Sequence, residues 1–570
     1  MSLATQGAAT VLPLRRRVLA LRVFATALLC AAFLYAALFA LQSVLSPLNY
    51  FDESITILAA RAVGNGMIPH GDFWLSYPAL SYWILAAAFK IFGNSYFVAR
   101  FVSVAFYVAV LAVGWMVAGD WKSRAILTSG LIFSIGGFYW YAPWNVFALL
   151  LIVLILFCWK RRAASCAFWL LIGSLLAATM LMRVNFAGYG LLSIGTFILL
   201  STERNSRDKL TDLASLCLPV VVAVLAYCII CRRCLPAVYA QLIDFPTHAL
   251  LRERILLVRR LAVGLLVLPF LLPARRMWRH RAPLLVLLTL LLGLVSLVLI
   301  DLHYRGREPS PVYALAFALL WIVVQAAYRN LDTEEFTVLL CYLLFLHYYF
   351  ARADAFHIWP ALIVLCLLAL RKLSQWPIPA GVRVDLVVVL LTGALGLYLY
   401  PATRIFLPNM FFYRYAALRL SPQGHENLSI QLGFPQDGET EALAYLMAHT
   451  SPNDYVYSGL LDHARGFTNN LRAYAILRRP IPVSDWEYEP GYSSEAQNQA
   501  LAIDELERTH TKWLLLWHGE RHPTEISRTR HGSSLLDAYI RSAFCVDKTF
   551  GDYQVWRRCN PGPFQETKVP

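Results

Sequence analysis

The sequence predicts a mainly α polytopic membrane protein with a small α/β domain at its C-terminal end. Three observations predict it: an apolar composition, a series of apolar runs whose connections are basic on one side only, and a change of composition after Tyr400. Of 570 residues, 58% are hydrophobic and only 15% are charged. A soluble domain of this length has no core large enough to hide so much apolar surface. Apolar runs of roughly 17–22 residues match the hydrocarbon thickness of a bilayer.

The elements follow in order. Arg15-Arg16-Arg17 precedes the first run, 18–44, and the positive-inside rule keeps that end in the cytoplasm. The run is long and no small-residue cleavage site follows it, so it is predicted as an anchor rather than a removed signal peptide. Further spans are predicted at 97–118, 124–141, 143–159, 164–182, 186–200, 211–231, 259–274, 283–301, 311–327, 334–350, 357–370 and 384–401, thirteen in all. With that number, Lys122/Arg124, Lys160-Arg161-Arg162, Arg204/Arg207/Lys209, Arg275-Arg276 with Arg279-His280-Arg281, Arg329, and Arg371-Lys372 all lie inside.

Ala79 to Phe92 is apolar but has only about 14 residues, short of a span. As a span it would invert every later loop, so it is predicted as an outer-face interfacial helix or a helix dipping partway into the membrane. Ile55 to Gly64 is predicted as a shorter one, with Ser54 as N-cap and Gly64 or Gly66 at its end.

Residues 1–403 thus form the membrane domain, with an outer loop at 45–96, and 404–570 form the domain outside the cytoplasm. In the latter, helical periodicity at Glu439 to His449 and Gln497 to Thr509 alternates with strand-like runs such as Lys512-Trp513-Leu514-Leu515-Leu516-Trp517. No internal repeat of 20–50 residues is visible.

Charge and cysteines narrow the partners. The net charge of +15 sits mostly between apolar runs, where topology and lipid headgroups account for it. No basic groove or stacking motif points to nucleic acid. Nine of the eleven cysteines lie in or beside apolar segments and read as small core residues. Cys231-Arg232-Arg233-Cys234 has metal-like spacing without a second ligand pair. Cys545 and Cys559 flank a predicted hairpin; an exported tail permits a disulfide there, and the pairing stays open.

Residues able to carry chemistry gather on the outer face. Asp52 and Glu53 follow the first span, and two adjacent carboxylates beside a bilayer are costly unless bound or used. One suits proton acceptance; the other suits orienting a cation or the loop. A solvated pair at the start of a helix is the plain alternative. His70 and Asp72 follow in the same loop, with Tyr77 before Pro78.

Arg183-Val184-Asn185 stands at the outer junction of two spans, where a guanidinium suits either headgroup snorkelling or bidentate phosphate recognition. Arg352-Ala353-Asp354-Ala355-Phe356-His357 places a cation, an acid and an imidazole in one tight outer connection. Two further outer loops are basic against the rule: Arg252-Glu253-Arg254 with Arg259-Arg260, and His303-Tyr304-Arg305-Gly306-Arg307. An anionic ligand or headgroups explain them equally.

Soluble nucleotide cofactors have no predicted site, since there is neither a P-loop nor a Gly-rich dinucleotide turn. A transferase on the outer face would need a donor already carried on a lipid.

The ordered set Phe51-Asp52-Glu53, Gly66-Met67-Ile68-Pro69-His70-Gly71-Asp72-Phe73, Tyr77-Pro78-Ala79-Leu80 and Phe89-Lys90-Ile91-Phe92-Gly93 resembles the integral-membrane glycosyltransferases of the GT-C fold. It is similar to the protein O-mannosyltransferase, aminoarabinose transferase and lipopolysaccharide galacturonosyltransferase-like group, over about 18–200 and again at Arg352 to Pro360.

The resemblance implies a GT-C bundle in a bacterial inner membrane, a polyprenyl-phosphate-linked sugar donor, and an outer-face lipid, glycan or protein acceptor. Asp52 would be the general base, with inversion at the anomeric carbon. Arg183 and Arg352 would stabilise the leaving phosphate. Glu53, His70 and Asp72 would shape the site, and Tyr77, Asn185, Asp354 and His357 are its further candidate contacts.

A divalent cation at Asp52 and Glu53 stays open, because dependence on one varies among such enzymes. Two departures stand out. Trp144-Asn145 replaces a second acid that several relatives carry, and Tyr77 replaces the Lys that aminoarabinose transferases carry. The alternatives are a transporter or flippase of lipid-linked saccharides, and a non-catalytic assembly subunit. Ionisable groups confined to one face and the lack of duplicated halves favour the enzyme.

Overall fold

The structure is a computed structural model that describes residues 51–119, 142–160, 165–201, 204–246, 333–351, 438–465, 469–488, 492–519 and 532–559, with Leu48 and isolated helical positions near 23–27, 123–131 and 360–371. The spans predicted at 18–44, 124–141, 259–274, 283–301, 311–327, 357–370 and 384–401 lie wholly or largely outside the described residues. So do the basic outer loops at 252–260 and 303–307 and the predicted boundary at 403/404.

The outer loop folds into two short helices, α1 (Asp52–Gly64) and α2 (Leu80–Phe92). The first corrects the predicted boundary. Phe51, not Ser54, is the N-cap, and the amide of Ile55 donates to the Phe51 carbonyl at 2.8 Å. Ser54 is buried inside the helix. Asp52 and Glu53 thereby occupy the first turn, where a carboxylate complements the partial positive charge of the helix N-terminus. Asn65 ends the helix and Gly66 follows at φ +89°, a left-handed conformation that glycine adopts without strain.

Long apolar helices come next: α3 (Tyr96–Val117), α4 (Ala142–Lys160), α5 (Cys166–Met182), α6 (Val184–Leu200) and α7 (Ser206–Ile230). Ser95, Ser165 and Asn205 cap α3, α5 and α7 by accepting from the amides of Phe97, Phe168 and Asp208. After α7 a turn leads to α8 (Leu235–Tyr239) and a π turn at Ala240–Asp244; α9 (Thr333–Ala351) follows much later. These helices lie close to the spans predicted there. Among the described residues, α3 and α7 are long and apolar enough to cross a membrane.

Their shared core is aromatic. Phe147, Phe186 and Phe345 meet edge to face with centroids 4.9–6.2 Å apart. At the crossing of α5 and α7, Gly173 lets the helices touch: a Cβ built there would lie 2.3 Å from the Leu216 carbonyl oxygen and 3.1 Å from Pro219.

The C-terminal part alternates as the periodicity predicts: α10 (Glu439–His449), β1 (Val456–Leu460), α11 (Leu471–Leu477), α12 (Ala496–Arg508), β2 (Trp513–Trp517), α13 (Leu535–Ala543), β3 (Phe544–Phe550) and β4 (Tyr553–Arg558). One sheet has the order β1-β2-β4-β3, with β1 parallel to β2 and the other pairs antiparallel. Strands β1 and β2 are buried at every position, which accounts for the continuous apolar run of β2.

Cys545 and Cys559 are joined by a disulfide across the β3–β4 hairpin, which resolves the open pairing. Replacing both by Ser is expected to lower the stability of this part by about 3 kcal/mol, since a closed loop of this size restricts the unfolded chain. The shift in unfolding temperature under non-reducing conditions measures it.

The two parts interlock. The amide of Trp74 donates to the Ser484 carbonyl at 3.0 Å, and Ser76 Oγ donates to Glu487 Oε2 at 2.8 Å. Phe73 stacks on Trp486 at 4.9 Å, and Arg61 Nη1 reaches the Ala475 carbonyl at 2.8 Å. Arg472, paired with Glu439 in the core, also donates to the Leu48 carbonyl.

Candidate active site

The first turn of α1 places its two acids in different surroundings. Glu53 is 4% exposed and faces Arg100, which is 1% exposed on α3. Arg100 Nε donates to Oε1 at 2.5 Å and Nη2 to Oε2 at 2.8 Å, a bidentate pair. The Tyr96 ring lies 4.9 Å from the same guanidinium. Asp52 is half-buried. Sequence reasoning missed Arg100. An ionisable side chain inside a predicted span was the available signal, because such a residue implies a partner.

Glu53, Thr56, Ser81, Ser103 and Asn145 line a small cavity between α1, α2, α3 and α4. Asn145 is therefore a neighbour of Glu53. Asn145 Oδ1 and Ser81 Oγ are buried without a hydrogen-bond partner among the described residues. No cluster of three or more metal-ligating side chains occurs among the described residues. Both Glu53 oxygens accept from Arg100, so a cation shared by both acids would lie close to that guanidinium and meet its repulsion.

The structure brings Tyr77 and Arg183 together. Arg183 connects α5 to α6, is 7% exposed, and is ringed by Tyr77, Phe186 and Tyr348, with their centroids 4.3, 4.9 and 5.0 Å from its Cζ. Such contacts use the faces of the guanidinium, so recognition of an anion through its in-plane N–H groups is compatible with them. Asn185 follows in the first turn of α6, half-buried.

His70 and Asp72 hold the loop's own shape. His70 has φ +65°, is 2% exposed, and has both ring nitrogens engaged. Burial pushes its pKa below the ordinary range, which keeps the imidazole neutral at pH 7. The Ala79 amide donates to the Tyr227 hydroxyl, leaving that hydroxyl to donate to Nε2 at 2.8 Å. Nδ1–H then donates to Gln241 Oε1 at 2.7 Å. Exposed Asp72 accepts from the amide of Ile68 at 2.6 Å and closes the turn. Arg352, Asp354 and His357 lie outside the described residues.

Beyond the loop, burial pushes the Asp485 carboxyl up to about 6. Sequence reasoning gave Asp485 no role, because nothing in its local pattern shows that Trp74, four hundred residues away, stands near it.

By sequence, no protein family matches the chain and no curated protein does. Among solved structures the chain is similar to ArnT from Cupriavidus metallidurans bound to undecaprenyl phosphate, at 12% identity and TM-score 0.46, over 95% of this chain and 100% of that one. It is similar to the same protein in the apo state at 14% identity and TM-score 0.41, over 93% and 97%. A third similarity is to the archaeal oligosaccharyltransferase AglB from Archaeoglobus fulgidus, in complex with an inhibitory peptide and a dolichol-phosphate. It has 12% identity and TM-score 0.43, over 86% and 69%.

Proposed function

We propose that the protein is an integral-membrane glycosyltransferase of the bacterial inner membrane. It moves a sugar from a polyprenyl-phosphate donor to a lipid, glycan or protein acceptor on the periplasmic face. The observation that carries this reading is the division of labour in the first turn of α1. Glu53 is paired with Arg100 in the core, while Asp52 in the same turn is half-exposed. A general base must reach an incoming hydroxyl, and only the outer acid meets that requirement.

In the proposed reaction Asp52 takes the proton of the acceptor hydroxyl, whose oxygen attacks the anomeric carbon. The bond from that carbon to the phosphate oxygen breaks, and the polyprenyl phosphate leaves with the electron pair. Attack opposite the leaving group inverts the anomeric configuration. Arg183 supports the negative charge that develops on the phosphate, with Arg352 as a second candidate. Asp354, His357 and Asn185 are proposed contacts to donor or acceptor. The exposed apolar side chains of α7, among them Leu218, Val222, Leu225 and Ile229, suit contact with lipid. A disulfide in the C-terminal part suits an oxidising compartment.

The test is transfer of labelled sugar from a panel of polyprenyl-phosphate donors in proteoliposomes. The parent is expected to transfer from one of them, and Asp52→Asn to lose at least about 100-fold in rate while keeping its unfolding temperature. Undiminished transfer by Asp52→Asn removes the general-base assignment. A parent inactive with every donor removes the transferase reading.

A further inference from the structure

A partly open cleft with a volume of about 140 Å³ lies where the outer loop meets the C-terminal part. Trp74 forms one wall, Asp485 and Tyr492 another, and Asn498 and Glu505 project from α12. Neither Asp52, Glu53 nor Arg183 lines it, so it is separate from the candidate active site.

Two of its polar atoms are buried: Trp74 Nε1, a donor with no hydrogen-bond partner among the described residues, and Asp485 Oδ1, which no side-chain donor among them meets, although the Tyr488 amide also acts on the Asp485 carboxyl. Trp74 as a whole is 3% exposed. Leaving such groups unmatched costs about 1–3 kcal/mol each, so a ligand that satisfies both gains by it. The neighbouring atoms are already committed. Asp485 Oδ2 accepts from Ser493 Oγ at 2.5 Å, Glu505 Oε2 accepts from the Ser484 amide at 2.9 Å, and Asn498 Nδ2 donates to the Tyr492 carbonyl at 2.7 Å.

The chemistry of the lining narrows the occupant. Tyr492 and Trp74 lie against each other with centroids 4.0 Å apart and present an aromatic edge of two rings. Two carboxyl groups and no Lys or Arg line the cleft among the described residues, which disfavours phosphate or uronate. An uncharged sugar ring matches what is left. Its C–H face packs on aromatic carbon, and adjacent hydroxyls accept from Trp74 Nε1 and donate to Asp485 Oδ1.

We propose that this cleft is a subsite for an uncharged saccharide, held by Trp74 and Asp485 between the outer loop and α12. That the sugar belongs to the acceptor, making the acceptor a glycan or glycolipid rather than a bare peptide, rests on the transferase reading. Binding itself does not.

The experiment uses the full chain in lipid nanodiscs, because alkyl glycoside detergents carry sugar headgroups. Saturation-transfer NMR and titration are run with mannotriose and the N-acetylglucosamine trimer as uncharged probes, and with the galacturonic acid trimer as the anionic one. One uncharged probe is expected to bind, with Asp485→Asn and Trp74→Phe each weakening it at least tenfold. Trp74→Phe keeps an aromatic ring while removing the N–H together with part of the ring surface, so it serves as the second variant should Asp485→Asn fail to fold. Absence of binding by both uncharged probes, binding indifferent to both cleft variants, or equal binding of the anionic probe overturns the subsite. Saccharide binding by a parent that transfers no sugar leaves the subsite standing and removes only its assignment to an acceptor.

Discussion

Glu53→Leu is expected to destabilise the protein by about 3–5 kcal/mol, because it leaves the Arg100 guanidinium buried without its carboxylate. Arg100 is 1% exposed, and the bidentate pair ties α1 to α3 at the edge of the core. Arg100→Met strands the opposite charge and should cost a similar amount. The double variant removes both charges together and is expected to recover most of the loss, as apolar replacement of a whole buried pair often does. A double-mutant cycle read by unfolding temperature in nanodiscs measures the coupling. High salt should leave the effect nearly unchanged, since screening acts on exposed charges. A cost confined to activity, with stability intact in both single variants, would show that the pair does not hold α1 in place.

Gly173→Val should be the second severe change. The Cβ alone would meet a backbone oxygen, Leu216 O, at 2.3 Å, and that atom sits on a helix with no flexible end to swing away. Overpacking commonly costs about 1–3 kcal/mol; where a backbone must move, and two apolar helices with it, the upper end or more is expected. Gly188 on α6 is the contrast. A Cβ there meets nothing within 4 Å, so Gly188→Ala is expected to gain up to about 1 kcal/mol from helix propensity. Unfolding temperatures that move alike for the two variants would contradict the close approach of α5 and α7.

Much of this architecture was legible in the sequence, because its cause is local. Helices α3, α5 and α7 follow from the apolar runs predicted at 97–118, 164–182 and 211–231, and α10 and α12 follow from their periodicity. The start of α1 was misplaced because Ser54 has the better capping chemistry, while the charge of Asp52 and Glu53 suits the first turn itself.

Legibility failed wherever a side chain's meaning depends on a distant partner. His70 read as a ligand contact, and its ring is bonded to Gln241 and Tyr227. Arg183 read as a lone cation at a span end, and three aromatic rings surround it. Glu53 read as the companion of Asp52, whereas Arg100, 47 positions away, determines its state.

The bonds from the outer loop to the C-terminal part also set an order in time. Arg61 to Ala475 and Ser76 to Glu487 span 414 and 411 positions of chain. A ribosome adding about 5–20 residues per second leaves the loop without those partners for roughly 20–80 s. During that interval α1 and α2 have only each other and the early helices to pack against. The loop that carries Asp52 therefore gains its final shape late in synthesis, after nearly all the chain has been made. A chain that stops short of residue 470 has the acid but lacks the lid that fixes the loop around it, so truncated copies left in a membrane should be inert.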